Sequence, residues 1–364
     1  LQAVILVGGE GTRLRPLTFE TPKPMVPLFG VPFLERTVTR LVDAGVQSIV
    51  FAAGYLPQAI RDYFGDGSRH GVSIRYVIED SPLGTAGALR NVAEFITGPF
   101  FVLNGDIITS LDLRAMIAYH DRCGGAGVLH AIRVEDPSAF GCIVTDANGR
   151  IESFVEKPKR ENAPTDQINA GTYLLEPAVL EAIPTGRSVS IERETFPRLL
   201  AEGTRLYAFV TEDYWLDVGQ PQQYVRAHED VLNGRFELRD IERRGTFWHL
   251  GASGVPAGIR PPTFVGPGVA IDPTAVVGPY VVLGAECRVE AGAHLRASVL
   301  WDRVTIGREA RVAEAILADD VVVGHDAVVT PGAVIGHGVS IEPGRVLSPD
   351  ARLSARPSTG AAIA

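Results

Sequence analysis

From residue 265 onward the chain keeps a six-residue step that very few folds can house. Val265, Ile271, Val277, Leu283, Val289 and Leu295 follow at intervals of six. Ile306 and Val312 continue after a one-residue slip, and Val323, Val329, Ile335, Ile341 and Leu347 after another. Four positions beyond several anchors stand small or aliphatic residues: Ala275, Val281, Ala293, Ala310, Ala327 and Ala333. Glycine often follows an anchor directly, as at Gly266, Gly278, Gly284, Gly307, Gly324 and Gly336. A hexapeptide period marks a parallel β-helix, in which six residues form one flat side of a triangular coil, the anchor points inward and small residues permit tight corners. A Gly/Val-rich low-complexity segment would not hold phase over thirteen anchors.

The part before it has a different rhythm. Apolar strands are expected over 3–7, 48–51, 74–77, 100–103 and 126–133, alternating with helices over 32–44, 85–94 and 111–120; a last helix starts at Pro221 and runs to Leu232. Strands that are apolar without strict alternation are buried on both faces, and strand–helix repetition implies a mostly parallel sheet covered on both sides. The expected organisation is an α/β domain over 1–232 with a mostly parallel sheet. A linker over 233–258, the β-helix over 259–350 and a tail over 351–364 follow.

Net charge is −9, which argues against a surface that coats nucleic acid but leaves room for a local cationic pocket. The three cysteines, Cys123, Cys142 and Cys287, lack disulfide or zinc spacing. The opening residues do not read as a leader and no apolar run is long enough to span a membrane, so a cytoplasmic location is expected. Of the 34 basic side chains only three are lysines, Lys23, Lys157 and Lys159. Where arginine serves as the generic cation, a retained lysine points to a need for a compact, flexible ammonium.

Two of those lysines fall in motifs. Gly8-Gly9-Glu10-Gly11-Thr12-Arg13-Leu14-Arg15-Pro16-Leu17-Thr18, followed by Pro22-Lys23-Pro24, comes directly after the first strand. Glycines there let backbone N–H groups approach phosphate oxygens. Arg13 can neutralise departing pyrophosphate, and Lys23 can bridge phosphates as a point charge. The spacing is neither that of a Walker loop nor that of a dinucleotide-binding GxGxxG. Asp106 follows the strand 100–103 after an Asn-Gly turn, where a carboxylate can cap the turn or hold a cation such as Mg²⁺.

Residues 8–25 match the signature GGxGTRLRPLTxxxPKPM throughout, and the chain resembles the sugar-1-phosphate nucleotidyltransferases over essentially its whole length. Further matching segments are Pro82–Gly87, Phe101–Asp106, Phe154–Pro158, Ile168–Gly171 and Trp215–Gly219. The resemblance implies a doubly wound, Rossmann-like nucleotidyltransferase domain with a mixed, mostly parallel sheet, a C-terminal left-handed β-helix, and transfer of a nucleoside monophosphate to a sugar 1-phosphate with Mg²⁺ as cofactor. The members it resembles most use GTP and mannose 1-phosphate. Other nucleotides, or another hexose or cyclitol phosphate, are the alternatives.

The resemblance also implies roles. Asp106 and Asp217 are the metal ligands. Leu6, Gly8, Gly9, Gly11, Thr12, Arg13, Lys23, Gly84, Thr85, Asn104 and Gly105 bind the nucleotide. Lys157 holds the sugar phosphate, with Glu156, Asn169, Gly141 and Gly171 around the sugar. Arg13, Lys23, Asp106, Lys157 and Asp217 form the expected catalytic set, and their joint presence disfavours a non-catalytic regulatory subunit. Glu79 is a candidate acceptor for guanine. His294, His325 and His337 read as surface histidines on coil faces, so a second, acyl-transferring activity is not expected. A homo-oligomer formed through the β-helix is expected, with no nucleic-acid or membrane partner.

Overall fold

A computed structural model describes residues 1–244, 247–249 and 258–355. Parts of the expected linker (245–246, 250–257) and tail (356–364) lie outside the described residues. Contacts divide the chain into two compact units: Leu1–Glu10 with Leu34–Leu216, and Gly11–Phe33 with the chain from Asp217 onward. The signature loop therefore belongs, by packing, with the C-terminal segment, although the sequence pattern groups it with residues 1–232.

The first unit is built on one mixed sheet. Gln2–Val7 lies at its centre, parallel to Ser48–Ala53 on one side and to Phe100–Asn104 on the other, and Ser73–Ile78 extends the parallel half. Gln167–Leu175 then runs antiparallel to Phe100–Asn104 and carries Gly127–Arg133 and Gly141–Thr145, the latter paired with Ile151–Glu156. The central strands are almost wholly buried, which explains their uninterrupted apolar runs. The helix Leu113–Cys123 starts two residues later than expected because Asp112 caps it, accepting from the N–H groups of Arg114 and Ala115. No helix among the described residues is long and apolar enough to cross a membrane.

In the second unit, short parallel strands stack in three sheets among the described residues, a β-helix of the left-handed kind that hexapeptide repeats build. Partners lie 18 residues apart where each side has six residues, as for Val265 and Leu283, and 17 apart for Leu300 and Leu317. The two slips are thus five-residue sides whose own inward anchors are Leu300 and Leu317, both buried. Corners recur in left-handed backbone even without glycine: Glu286, Arg303, Glu309, Asp320 and Asp326 all have φ between 56° and 61°. Inter-coil hydrogen bonds such as Arg303 N–H to Ala285 O hold them there. Where a linker was expected, Glu242–Arg244 and Phe247–His249 form two strands that join one of these sheets.

Candidate active site

In the first unit the expected nucleotide residues gather at the carboxyl ends of the central strands. Leu6 pairs with Asn104, and Gly105 N–H donates to Leu6 O at 3.1 Å, so Gly8, Gly9 and Asp106 all follow strand ends. Gly8 runs against Gly54: a Cβ on Gly54 would lie 3.1 Å from Gly8 O. Gly84 has φ +70°, and a Cβ there would sit 2.7 Å from Val189 O, so only glycine fits this approach. Thr85 bonds across the same contact, accepting from Ile191 N–H at 2.8 Å and donating to Glu192 Oε2 at 2.9 Å. Glu79, the candidate base acceptor, instead takes Leu83 N–H at 3.1 Å and braces the turn before Gly84.

The expected sugar-phosphate residues come together in the same unit. Asn169, Ala170 and Gly171 lie where the register of Gln167–Leu175 against Gly127–Arg133 shifts, a bulge that re-aims side chains. Gly171 has φ +70°, and a Cβ there would meet Asn104 Nδ2 at 2.7 Å. Its N–H donates to Asn169 Oδ1 at 3.0 Å, and Asn169 Nδ2 donates to the Tyr173 hydroxyl at 2.8 Å. Gly141 stands opposite Glu156, and a Cβ on it would lie 2.7 Å from Glu156 Oε2. Lys157 Nζ is 3.9 Å from Glu156 Oε1, with the lysine half-exposed and the glutamate mostly buried. Lys157 itself has φ +49° directly before Pro158, a conformation that costs a non-glycine residue of order 1–3 kcal/mol and gathers at functional sites. Its N–H bond to Phe140 O at 2.9 Å secures it.

Burial pushes the Glu156 carboxyl above the usual carboxylate range and the nearby Glu192 adds to this, while Lys157 and Arg193 pull the other way. Glu192 escaped sequence reading. It accepts from Thr85, from Ser190 Oγ at 2.8 Å and from the Tyr173 hydroxyl at 3.4 Å, and so links the nucleotide residues to Asn169. It sits in a wide π-type turn, Ile191–Thr195, a form that recurs at functional sites. Nothing in its sequence surroundings marks it. Trp215 Nε1 donates to Ala170 O at 2.9 Å, which ties the strand before Asp217 to the bulge.

The second unit carries the remaining cations. Gly11 has φ +61°, and a Cβ on it would lie 2.9 Å from Lys23 Cβ and 3.1 Å from Thr18 Cγ2. Thr18 Oγ1 donates back to Gly11 O at 2.8 Å, closing the loop on itself. Thr12 and Arg13 are exposed on a 3₁₀ turn, whereas Lys23 is almost wholly buried. Lys23 Nζ faces Asp217 Oδ1 at 4.0 Å. Arg13 lies over Gly219, where a Cβ would meet Arg13 Nη2 at 2.9 Å. The loop cations thus converge on the segment Asp217–Gly219. Within each unit the residues singled out from the sequence are neighbours in space. The first unit thus brings together strand-end glycines, Asp106 and polar side chains, and the second brings together Arg13, Lys23 and Asp217.

Residues 2–234 match the family model "Nucleotidyl transferase", and residues 259–355 match the "GMPPB C-terminal domain". A mannose-1-phosphate guanylyltransferase of Mycobacterium tuberculosis is 39% identical over 308 residues, 84% of this chain and 81% of that protein. The catalytic subunit beta of a mannose-1-phosphate guanylyltransferase of Danio rerio is 35% identical over 352 residues, 90% and 92% of the two chains. The crystal structure of HddC from Yersinia pseudotuberculosis superposes with a TM-score of 0.55 at 33% identity, covering 63% of this chain and 98% of that one. A second structure of HddC, complexed with GMP-PN, gives 0.54 with the same coverage.

Proposed function

The chain belongs to the nucleotidyl transferase family, and from that membership we propose that it transfers the guanylyl group of GTP to mannose 1-phosphate, forming GDP-mannose and releasing pyrophosphate. The observation that carries this reading is the likeness, over 84–91% of the chain, to proteins named mannose-1-phosphate guanylyltransferase, with the C-terminal match alongside it.

A phosphate oxygen of the sugar phosphate attacks the α-phosphorus of GTP. A new P–O bond forms as the α–β bridging P–O bond breaks, and pyrophosphate carries away the bonding pair. The nucleophile is already an anion, so no base is needed and catalysis is positioning plus charge neutralisation. Lys157 holds the attacking phosphate against repulsion. Glu156 and Asn169, with the backbone at Gly141 and Gly171, orient the sugar. Leu6, Gly84, Thr85, Asn104 and Gly105 hold the nucleoside, and Gly8, Gly9, Gly11 and Thr12 offer backbone to the phosphates. Arg13 and Lys23 offset charge on the departing pyrophosphate.

Asp106 and Asp217 supply hard oxygen donors of the kind magnesium takes together with substrate phosphates. Among the described residues no group of three or more His, Cys, Asp or Glu side chains is suited to a metal, and a magnesium ion would have Asp106 and Asp217 as its protein ligands. When bound, it would neutralise part of the triphosphate charge. A cytoplasmic location and a homo-oligomer formed through the sides of the β-helix complete the reading.

The test is a substrate matrix. Each of four nucleoside triphosphates is paired with several hexose and cyclitol 1-phosphates, and pyrophosphate formation is followed. The highest kcat/KM is expected for GTP with mannose 1-phosphate. A better pair would reassign the substrate, and no turnover with any pair by folded protein would make the chain a non-catalytic subunit.

A further inference from the structure

His337 is not a surface histidine. Only 14% of its side chain is exposed, and it lies on the coil face where Thr21 of the signature loop lands. Thr21 Oγ1 is 3.1 Å from His337 Nε2, across 316 residues of sequence but inside one compact unit. On the other side of the ring, Nδ1 faces Asp319 Oδ2 at 3.6 Å. That carboxylate is itself fixed, its Oδ1 accepting from Asp302 N–H at 2.9 Å. A carboxylate beside Nδ1 favours the tautomer with the proton on Nδ1, which leaves Nε2 to accept from the Thr21 hydroxyl. Trp301, two coils earlier and in line with the neighbouring Gly336, packs its ring edge-on to His337 at 5.3 Å between centroids.

A second tether lies beside the first. Trp301 Nε1 donates to the Tyr224 hydroxyl at 2.9 Å, and that hydroxyl donates to Pro27 O at 2.6 Å. The loop is therefore held to the same face at both Thr21 and Pro27, and Lys23 lies between those points. The surface has been cleared for it: a Cβ at Gly336 would lie 3.2 Å from Pro16 Cβ.

We infer that His337 is a positioning residue for the transfer reaction: through Thr21 it fixes the loop that presents Arg13 and Lys23 to the triphosphate. The inference rests on the reading of those two cations as triphosphate-binding. It gives the β-helix a part in the chemistry of the loop, with Trp301 and Asp319 holding the histidine in place.

The experiment compares wild type with Thr21→Val, Thr21→Ser, His337→Ala and the double variant Thr21→Val/His337→Ala. Thr21→Val is isosteric and leaves the β-helix untouched, so it reads the contact even if His337→Ala folds poorly. Losing one hydrogen bond that orients two cations is expected to lower kcat/KM for GTP about tenfold. KM for mannose 1-phosphate should stay within twofold, Thr21→Ser should recover wild-type behaviour, and the double variant should be no worse than the worse single one. Single variants within twofold of wild type, or effects that multiply in the double variant, would overturn the inference. Hydrogen exchange over residues 11–26 without substrate separates this from the functional reading. If wild type does not turn over GTP and mannose 1-phosphate, the proposed function fails. Faster loop exchange in Thr21→Val but not in Thr21→Ser would still support the brace, and unchanged exchange would still remove it.

Discussion

The ammonium of Lys23 stands 4.0 Å from the carboxylate of Asp217, within a unit that unites the signature loop with the C-terminal part of the chain. Lys23 holds this position because Gly11 leaves room for its stem. Gly11→Ala would place a methyl group 2.9 Å from Lys23 Cβ in backbone of φ +61°. It is expected to lower unfolding free energy by about 1–3 kcal/mol and to cut turnover with GTP. Urea unfolding and steady-state kinetics on the same preparation test both effects.

Lys157 is expected to act on one substrate only. Lys157→Ala should lower kcat/KM for mannose 1-phosphate by about a hundredfold, the scale of one preorganised charge contact, with a much smaller change in KM for GTP. Lys157→Arg should recover little, since the tight turn before Pro158 sets where the cation points. Varying each substrate at saturation of the other measures the split.

Glu156 gives a pH signature. Its carboxyl is held above the ordinary range, first by burial and then by Glu192, so it loses its charge at a higher pH than an exposed glutamate. An acceptor of sugar hydroxyls that becomes protonated binds less well. KM for mannose 1-phosphate should therefore rise as the pH falls, and Glu156→Gln should show a raised KM with a shallower slope, the remainder coming from protonation of the sugar phosphate itself, whose second pKa is about 6. A pH series for both proteins checks it.

His130 gives a stability signature. It is fully buried, hydrogen-bonded to Thr211 Oγ1 at 2.9 Å, and burial followed by the Arg40 charge lowers its pKa from 6.5 to about 4. Between those values the unfolded chain takes up the proton and the folded one does not, so stability falls as pH drops from 6.5 to about 4. At about 1.4 kcal/mol per unit the loss is on the order of 3 kcal/mol. Urea unfolding at pH 7.5 and 5 should show a fall that His130→Gln reduces.

The β-helix was the most legible part of the chain, because each coil repeats one geometric demand and the anchors had to keep phase. Leu300 and Leu317 fell out of that pattern because their sides have five residues, a difference only stacking reveals. The left-handed corners at Glu286 or Asp320 are equally silent in sequence, since inter-coil hydrogen bonds hold a conformation those side chains do not prefer. Lys23 and Lys157 were visible because lysine is rare here and both fall in motifs. Glu192 was not, because its function lies in hydrogen bonds to Thr85 and Tyr173 that no local spacing encodes. His337 was misplaced on the surface for the same kind of reason: a coil face is open to solvent until a segment from the far end of the chain covers it.

Phosphorus NMR of wild type incubated with GTP, mannose 1-phosphate and magnesium shows whether the chain makes GDP-mannose. Equal amounts of GDP-mannose and pyrophosphate are expected, with formation that stops on chelation of the metal and none when Asp106→Asn replaces wild type. Pyrophosphate or orthophosphate appearing without a sugar nucleotide, or unaltered substrates with folded wild-type protein, would contradict this expectation.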